Sequence, residues 1–118
     1  MGASQVFSIL AAVAAMVIGQ VLFKLASTQI SLPALTASFV MSLLTNIYMI
    51  VGIALYAATT ILWVFVLRDV PISRAYPFMA LSMVIVPLTG VLFFNEPASW
   101  SLLLGGGMII AGLVVVSW

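Results

Sequence analysis

Four long runs of uncharged, mostly apolar residues follow one another along the chain, and short polar segments separate them. The runs cover residues 6–23, 48–67, 75–94 and 100–118. A helix rises about 1.5 Å per residue, so each run is long enough to cross a hydrocarbon layer of about 30 Å. The pattern predicts four transmembrane helices, at about residues 5–27, 46–67, 73–94 and 99–118.

Polar segments that contain proline end the second and third runs. They are Arg68-Asp69-Val70-Pro71 and Asn95-Glu96-Pro97. Proline lacks a backbone N–H and disfavours a helical residue before it, so both segments predict tight turns. The first run has no basic segment before it and no cleavage site of small residues after it, which indicates a mature helix rather than a signal peptide. We expect a single transmembrane domain over residues 1–118.

The connection between the first two spans is longer and amphipathic. In residues 32–45, apolar side chains fall on one face of a helix and hydroxyl side chains on another. The apolar ones are Leu35, Phe39 and Leu43, and the hydroxyl ones are Ser38, Ser42 and Thr45. This segment is too short to cross a bilayer. The predicted fold is an all-α membrane protein of four transmembrane helices, with a short interfacial or re-entrant helix between the first and second.

Composition agrees with this class and removes several functions. Of 118 residues, 66% are hydrophobic and 4% are charged, and the mean hydropathy is +1.43, more apolar surface than a soluble fold could bury. Three Lys or Arg and two Asp or Glu residues are too few for a nucleic-acid surface or a polybasic tail. Without Cys or His, zinc sites, disulfides and the usual general base are not expected. We expect no metal, no cofactor and no enzyme activity.

Small residues crowd the fourth span. Gly105, Gly107, Ala111 and Gly112 lie there, and Gly107 and Ala111 have the small-xxx-small spacing of closely packed membrane helices. They could face a helix of the same chain or a second chain. Because four helices alone enclose a polar route poorly, we expect a dimer, either of identical chains or with a similar four-helix subunit.

Two prolines, Pro77 and Pro87, fall within the third span. Pro77 can loosen the backbone hydrogen bonds one turn into the helix, and Pro87 is a second candidate for a kink. The third span is therefore the predicted bending element of the protein.

Lys24 is the one cation at its end of the first span, and Gln20 lies one turn before it on the same face. One interpretation is an anchor whose ammonium reaches the membrane boundary, and another is an ion pair with Glu96 on that side of the membrane. The functional interpretation is that Gln20 and Lys24 present donors to an anionic head group in a polar pocket.

Arg74 begins the third span, close to Tyr76. Its guanidinium suits bidentate contact with a phosphate, and the alternative is an interfacial anchor. Helix rise separates Lys24 and Arg74 by about 25–30 Å within one chain, so they serve either opposite leaflets or an antiparallel pair of chains. Arg68 and Arg74 lie on the side of both termini, which weakly favours cytoplasmic termini.

Short motifs in the first and third spans carry a resemblance to a known superfamily. They are Val17-Ile18-Gly19 followed by Lys24, and Val70-Pro71 followed by Ala75-Tyr76. With four short spans, they resemble the small multidrug resistance proteins of the drug/metabolite transporter superfamily. Those exporters carry a glutamate directly before the Val-Ile-Gly motif, where this chain has Met16. Met79, Leu81 and Met83 also depart from the exporters' third helix.

A second set of motifs is more similar to the EamA-type small flippase subunits for aminoarabinose linked to undecaprenyl phosphate. The set is Gly19-Gln20 with Lys24, Val70-Pro71, Ala75-Tyr76-Pro77, Leu81 and Glu96-Pro97. The resemblance implies a translocator of a polyprenyl-phosphate-linked sugar in the bacterial inner membrane. Lys24 and Arg74 would then contact the phosphate, and Gln20 and Tyr76 would hydrogen bond to the phosphate or the sugar.

Two other functions stay open at this point. The resemblance to the exporters allows transport of small organic cations or metabolites, although no carboxylate is predicted inside a span. A non-transporting accessory subunit of a membrane glycosyltransferase is the third possibility. In each case we expect a multi-pass protein surrounded by membrane lipid, without a nucleic-acid partner.

Overall fold

The computed structural model describes residues 2–31 and 34–118. These residues form six α-helices and one 3-10 turn. The helices are α1 (Ala3–Gln29), α2 (Ala37–Thr45), α3 (Ile47–Asp69), α4 (Ile72–Ala75), α5 (Ala80–Phe93) and α6 (Trp100–Ser117), with the 3-10 turn at Tyr76–Met79 between α4 and α5.

Four helical segments are long and apolar enough to cross a membrane, as the sequence predicts. They are Ala3–Gln29, Ile47–Asp69, Ile72–Phe93 and Trp100–Ser117. The third is not one continuous α-helix, because α4, the 3-10 turn and α5 follow one another within it. Pro77 lies in the 3-10 turn and Pro87 lies inside α5. The predicted all-α fold with four spans is therefore confirmed, and the bending of the third span stays a prediction.

The short helix between the first two spans is also present, as α2. The predicted segment begins at residues 32 and 33, which lie outside the described residues, and the helix itself begins after Thr36. The Thr36 hydroxyl accepts a hydrogen bond from the Phe39 N–H at 3.3 Å, which caps the helix. Phe39 and Leu43 are half-buried, while Leu35 is exposed and precedes the helix. Its interfacial or re-entrant position stays a prediction.

Asn46 joins α1, α2 and α3. Its side-chain oxygen accepts from the N–H groups of Tyr48 and Met49 at the start of α3, and its amide nitrogen donates to the Gln29 side chain at 2.9 Å. One side chain thus caps α3 and ties it to the last residue of α1. The two helices run antiparallel from this point.

Two glycines let α1 and α3 approach each other closely. A β-carbon at Gly19 would lie 2.5–2.7 Å from ring atoms of Tyr56, and one at Gly52 would lie 2.7–3.0 Å from ring atoms of Phe23. The two rings stack on each other, with centroids 5.2 Å apart. Each helix therefore offers a glycine to the aromatic ring of the other, and small residues enable this kind of approach in membranes.

The buried core lies near the end of the bundle that holds the start of α1. Ile9 from α1 packs there with Val66 from α3, Val70 and Ala75. In contrast, α6 contacts α5 and the 3-10 turn but contributes no buried residue. The chain is thus a tight α1–α3 pair with α5 beside it and an open outer helix.

Candidate functional site

One stripe of α1 faces α5 and lines two neighbouring cavities. The stripe runs from Met16 through Gln20 to Lys24, and its successive members are four positions apart. This spacing places the three side chains one above another on a helix. Met16 lines one cavity, whereas Gln20 and Lys24 line the other.

We call the cavity at the Lys24 end the cationic cavity. It has a volume of about 500 Å³ and lies between α1 and the C-terminal half of α5. Its lining consists of Gln20, Val21, Phe23, Lys24, Val86, Pro87, Thr89, Gly90, Phe94 and Glu96. The Lys24 ammonium lies 5.9 Å from the centroid of the Phe94 ring, a cation–π distance. The predicted pair Gln20 and Lys24 therefore shares one polar cavity with Thr89 and Glu96.

A tight turn after α5 brings Glu96 into this cavity. Asn95 has φ 54°, in the left-handed region that asparagine tolerates. The Glu96 N–H then donates to the Gly90 carbonyl at 3.1 Å, and the carboxylate lies over Gly90, where a β-carbon would come within 2.7 Å of it. Within residues 2–31 and 34–118 the observed salt bridge is Arg68–Asp69, at 3.7 Å. Lys24 and Glu96 thus line one cavity without forming the simple ion pair that was one alternative.

We call the second cavity the hydroxyl cavity. It measures about 420 Å³ and lies between α1, α3 and the start of the third span. It is lined by Met16, Tyr56, Thr59, Thr60, Trp63, Tyr76, Pro77, Met79, Ala80, Ser82 and Met83. No charged side chain is among these described lining residues. Tyr76 is therefore separated from Lys24 and Gln20, with which the sequence analysis grouped it.

A hydrogen bond joins the two cavities. The Gln20 side-chain amide, which lines the cationic cavity, donates to the hydroxyl of Tyr56, which lines the hydroxyl cavity. Tyr56 was not predicted as a site residue, nor were Thr59 and Thr60. A signal was present, because hydroxyl side chains at positions 56, 59 and 60 share one face of an otherwise apolar helix.

Arg74 lies away from both cavities. Its side chain is exposed on α4, and it is absent from the lining of either cavity. The structure of one chain therefore does not bring Arg74 to Lys24, in line with the separation expected from helix rise. Its contact with a phosphate stays a prediction.

A third cavity of about 570 Å³ is an apolar groove between α5 and α6. Gly105 and Gly107 line it, yet a β-carbon at either position, or at Gly112, would have no atom within 4 Å. Only a β-carbon at Gly106 would touch the described part of α5, at 3.7 Å from Val84. Ala111 is exposed. Within the part of the chain that the structure describes, no helix thus packs closely against these small residues.

Comparison with known proteins places this architecture in a family. The model of the EamA-like transporter family matches residues 47–118, which is more than half of the chain. The chain belongs to the EamA-like transporter family. The predicted resemblance is confirmed. The matched residues include α3, α5 and α6, which line the hydroxyl cavity and the apolar groove together with α1. No solved structure matches the chain significantly.

Curated relatives of this EamA-family chain carry flippase names. The probable 4-amino-4-deoxy-L-arabinose-phosphoundecaprenol flippase subunit ArnF of Erwinia tasmaniensis is 32% identical over 105 residues, which is 84% of this chain and 83% of the relative. The protein of the same name from Pseudomonas fluorescens is 35% identical over 73% of this chain and 64% of its own length. The corresponding subunit ArnE of Aeromonas hydrophila is 33% identical over 58% and 60%. The alignments with the last two thus span less than two thirds of those relatives.

Proposed function

We propose that this chain is a subunit of a flippase that moves a polyprenyl-phosphate-linked sugar across the bacterial inner membrane, without catalysing a reaction. The relatives' names support the substrate class. The observation that carries the proposal is the cationic cavity, which Lys24 and Gln20 line together between α1 and the C-terminal half of α5. A charged group in such a place is costly unless it has a function or a partner.

The chemistry of the cationic cavity suits a lipid phosphate. Moving a phosphate into hydrocarbon requires donors that replace its water, and an ammonium and an amide supply them. The polyprenyl chain needs no polar path, because it could stay in the lipid beside the exposed apolar side chains of α5. Lys24 would hold the phosphate in place of its present contact with the Phe94 ring, and Gln20 would donate a second hydrogen bond.

Arg74 and Tyr76 would act nearer the other membrane face. Tyr76 lines the hydroxyl cavity, and Arg74 precedes it by two residues on the exposed side of α4. A head group that leaves the first leaflet at Lys24 would meet Arg74 on arrival, either in the same chain or in an antiparallel partner. Each cation would then serve one leaflet.

A second four-helix subunit would complete the pathway along α6. Gly105, Gly107, Ala111 and Gly112 lie on a helix without buried residues, and the β-carbon positions of the three glycines are open. A helix from another chain could therefore approach α6 closely. The relatives carry two subunit names, ArnF and ArnE, which supports a pair of similar but different chains.

Transport by reconstituted protein tests this function. A polyprenyl-phosphate-linked amino sugar is placed in the inner leaflet of vesicles, and a membrane-impermeant amine reagent measures its arrival outside. Lys24→Ala should slow arrival by about tenfold or more, since a charge-assisted hydrogen bond contributes about 1.5–3 kcal/mol, and Lys24→Arg should keep part of the activity. Arg68→Ala removes an exposed cation outside both cavities and should leave the rate unchanged.

The other two functions predict different results. An exporter of organic cations would retain a quaternary ammonium compound in native mass spectrometry and release it on competition with other cations, while ignoring undecaprenyl phosphate. A glycosyltransferase accessory subunit would retain neither compound and would bind a partner enzyme. Equal transport rates for the wild type and Lys24→Ala would contradict the proposed role of the cationic cavity.

A further inference from the structure

We infer that the hydroxyl cavity is a sugar subsite, which binds the sugar ring of the substrate through the ring's own O–H donors while the phosphate stays at Lys24. This inference rests on the proposed function and adds to it a division of the head group between two cavities. The residues that it adds to the site are Thr59, Thr60 and Ser82.

The hydroxyl cavity has no charged side chain among its described lining residues. An anionic phosphate within the membrane needs a cation or several donors, so this cavity disfavours it. An uncharged polar group has a smaller desolvation cost, which hydrogen bonds to hydroxyl oxygens can offset.

Three hydroxyl groups of the cavity donate their hydrogens to nearby backbone carbonyls. Thr59 donates its hydroxyl hydrogen to the Leu55 carbonyl at 2.8 Å, and Thr60 donates to the Tyr56 carbonyl at 2.8 Å. Ser82 donates to the Met79 carbonyl at 2.6 Å. A hydroxyl has one donor and two acceptor positions. The three oxygens therefore offer acceptors to a ligand, and a ligand rich in donors matches them.

The rest of the cavity wall is mostly apolar. Trp63, Tyr76, Met79 and Met83 supply aromatic and thioether surface, which suits the C–H faces of a sugar ring. The volume of about 420 Å³ lies within the range of about 300–1,000 Å³ that small-molecule sites occupy. Such sites usually have a mostly apolar wall with a few polar groups.

The hydroxyl cavity lies close to the proposed phosphate site at Lys24. Gln20 lies one helical turn, about 6 Å, from Lys24 along α1, and it is hydrogen-bonded to Tyr56 in the wall of the hydroxyl cavity. The sugar of a glycosyl phosphate is bonded directly to the phosphate. A phosphate at Lys24 and Gln20 would thus place the ring beside Tyr56, at the boundary of the hydroxyl cavity.

The test compares two lipids that differ only in the sugar. Native mass spectrometry of the purified full chain measures retention of undecaprenyl phosphate and of the same lipid carrying an uncharged pentose. Thr60→Val and Ser82→Ala each remove one acceptor, and each should weaken binding of the sugar-linked lipid by about threefold to tenfold. Binding of undecaprenyl phosphate should not change, and this also shows that the variants are folded.

Matched variants distinguish an effect on ligand binding from an effect on helix stability. Thr60→Ser keeps the hydroxyl and should restore the preference for the sugar-linked lipid. Thr45→Val removes a hydroxyl that makes the same kind of backbone bond, to the Met41 carbonyl, but lies outside the hydroxyl cavity, and it should bind both lipids like the wild type. Lys24→Ala should weaken both lipids together.

The outcomes distinguish this inference from the proposed function. If the wild type retains both lipids equally, or if Thr60→Val and Ser82→Ala weaken both lipids equally, the sugar subsite is overturned while the phosphate site stands. If the wild type retains neither lipid, the proposed function fails and the subsite fails with it. Selective loss of the sugar-linked lipid supports both.

Discussion

The glycines between α1 and α3 and the glycines of α6 lie in opposite surroundings. Gly19 and Gly52 each receive an aromatic ring from the facing helix, so close that a β-carbon would overlap it. Gly105 and Gly107 have no atom of the described chain within 4 Å of the β-carbon position. The first pair allows close helix packing within the chain, and the second pair has open space beside it.

This difference separates a closed part of the molecule from an open one. The α1–α3 pair fixes the Tyr56 ring between Gly19, Phe23 and Gln20, and this ring forms the boundary between the two cavities. By contrast, α6 is held along α5 and the 3-10 turn and buries no residue. The site is thus built on the closed part, and the open part is available to a second chain.

The largest expected effect is a side chain added inside the closed pair. Gly52→Ala places a methyl group 2.7–3.0 Å from ring atoms of Phe23, and that ring cannot move freely because it stacks on Tyr56. Overpacking of this kind costs about 1–3 kcal/mol. The free energy of unfolding in detergent micelles should fall by that amount. Stability equal to that of the wild type would mean that α1 and α3 lie farther apart than described.

The next effect concerns the open face and a second chain. Gly107→Leu adds bulk where the described chain has nothing within 4 Å, so the stability of the isolated chain should not fall. If a partner approaches α6 there, the fraction of dimer should fall by about tenfold, measured by energy transfer between labelled chains in vesicles. Leu104→Ala reduces bulk at an exposed position of the same helix and serves as the control. An unchanged dimer fraction would remove Gly107 from the interface.

A smaller effect is expected from removing the N-terminal caps of α3 and α6. Asn46 caps α3 and also bonds to Gln29, whereas Ser99 caps α6 through one bond, from the Leu102 N–H at 3.2 Å. Asn46→Ala should therefore cost more than Ser99→Ala, within the range of about 0.5–2 kcal/mol for lost caps. Thermal unfolding of both variants measures the order. A larger loss for Ser99→Ala would contradict the description of α6 as the looser helix.

The smallest effect has the opposite sign. Gly105→Ala fills open space and gains the helix propensity of alanine, about 0.5–1 kcal/mol relative to glycine in a helix interior. The isolated chain should become slightly more stable, while Gly19→Ala should be destabilised by contact with the Tyr56 ring. Unfolding measured on the two variants under identical conditions checks the contrast. Two changes of the same sign would contradict it.

Part of the candidate site could be predicted from the sequence. Lys24 and Gln20 fall on one helical face by spacing alone, and they do share a cavity. Tyr76 was grouped with them by function, but the structure assigns it to a different cavity. The hydroxyl face of α3 is visible in the sequence but was missed, because a Thr residue in a membrane helix can be explained by a hydrogen bond to its own backbone without any ligand.

The sequence by itself determined the class of the protein, its four spans and the turns between them. A bilayer requires about twenty apolar residues for each helix and satisfies no backbone group outside a helix, so hydropathy and proline suffice for these features. Only the tertiary structure decided which glycines are packed against a facing helix and which polar side chains share a cavity. It also decided that the Glu96 carboxylate lies over Gly90 instead of pairing with Lys24. Those outcomes depend on which side of each helix faces its neighbour. The sequence of a helix that is apolar on all sides does not indicate that side.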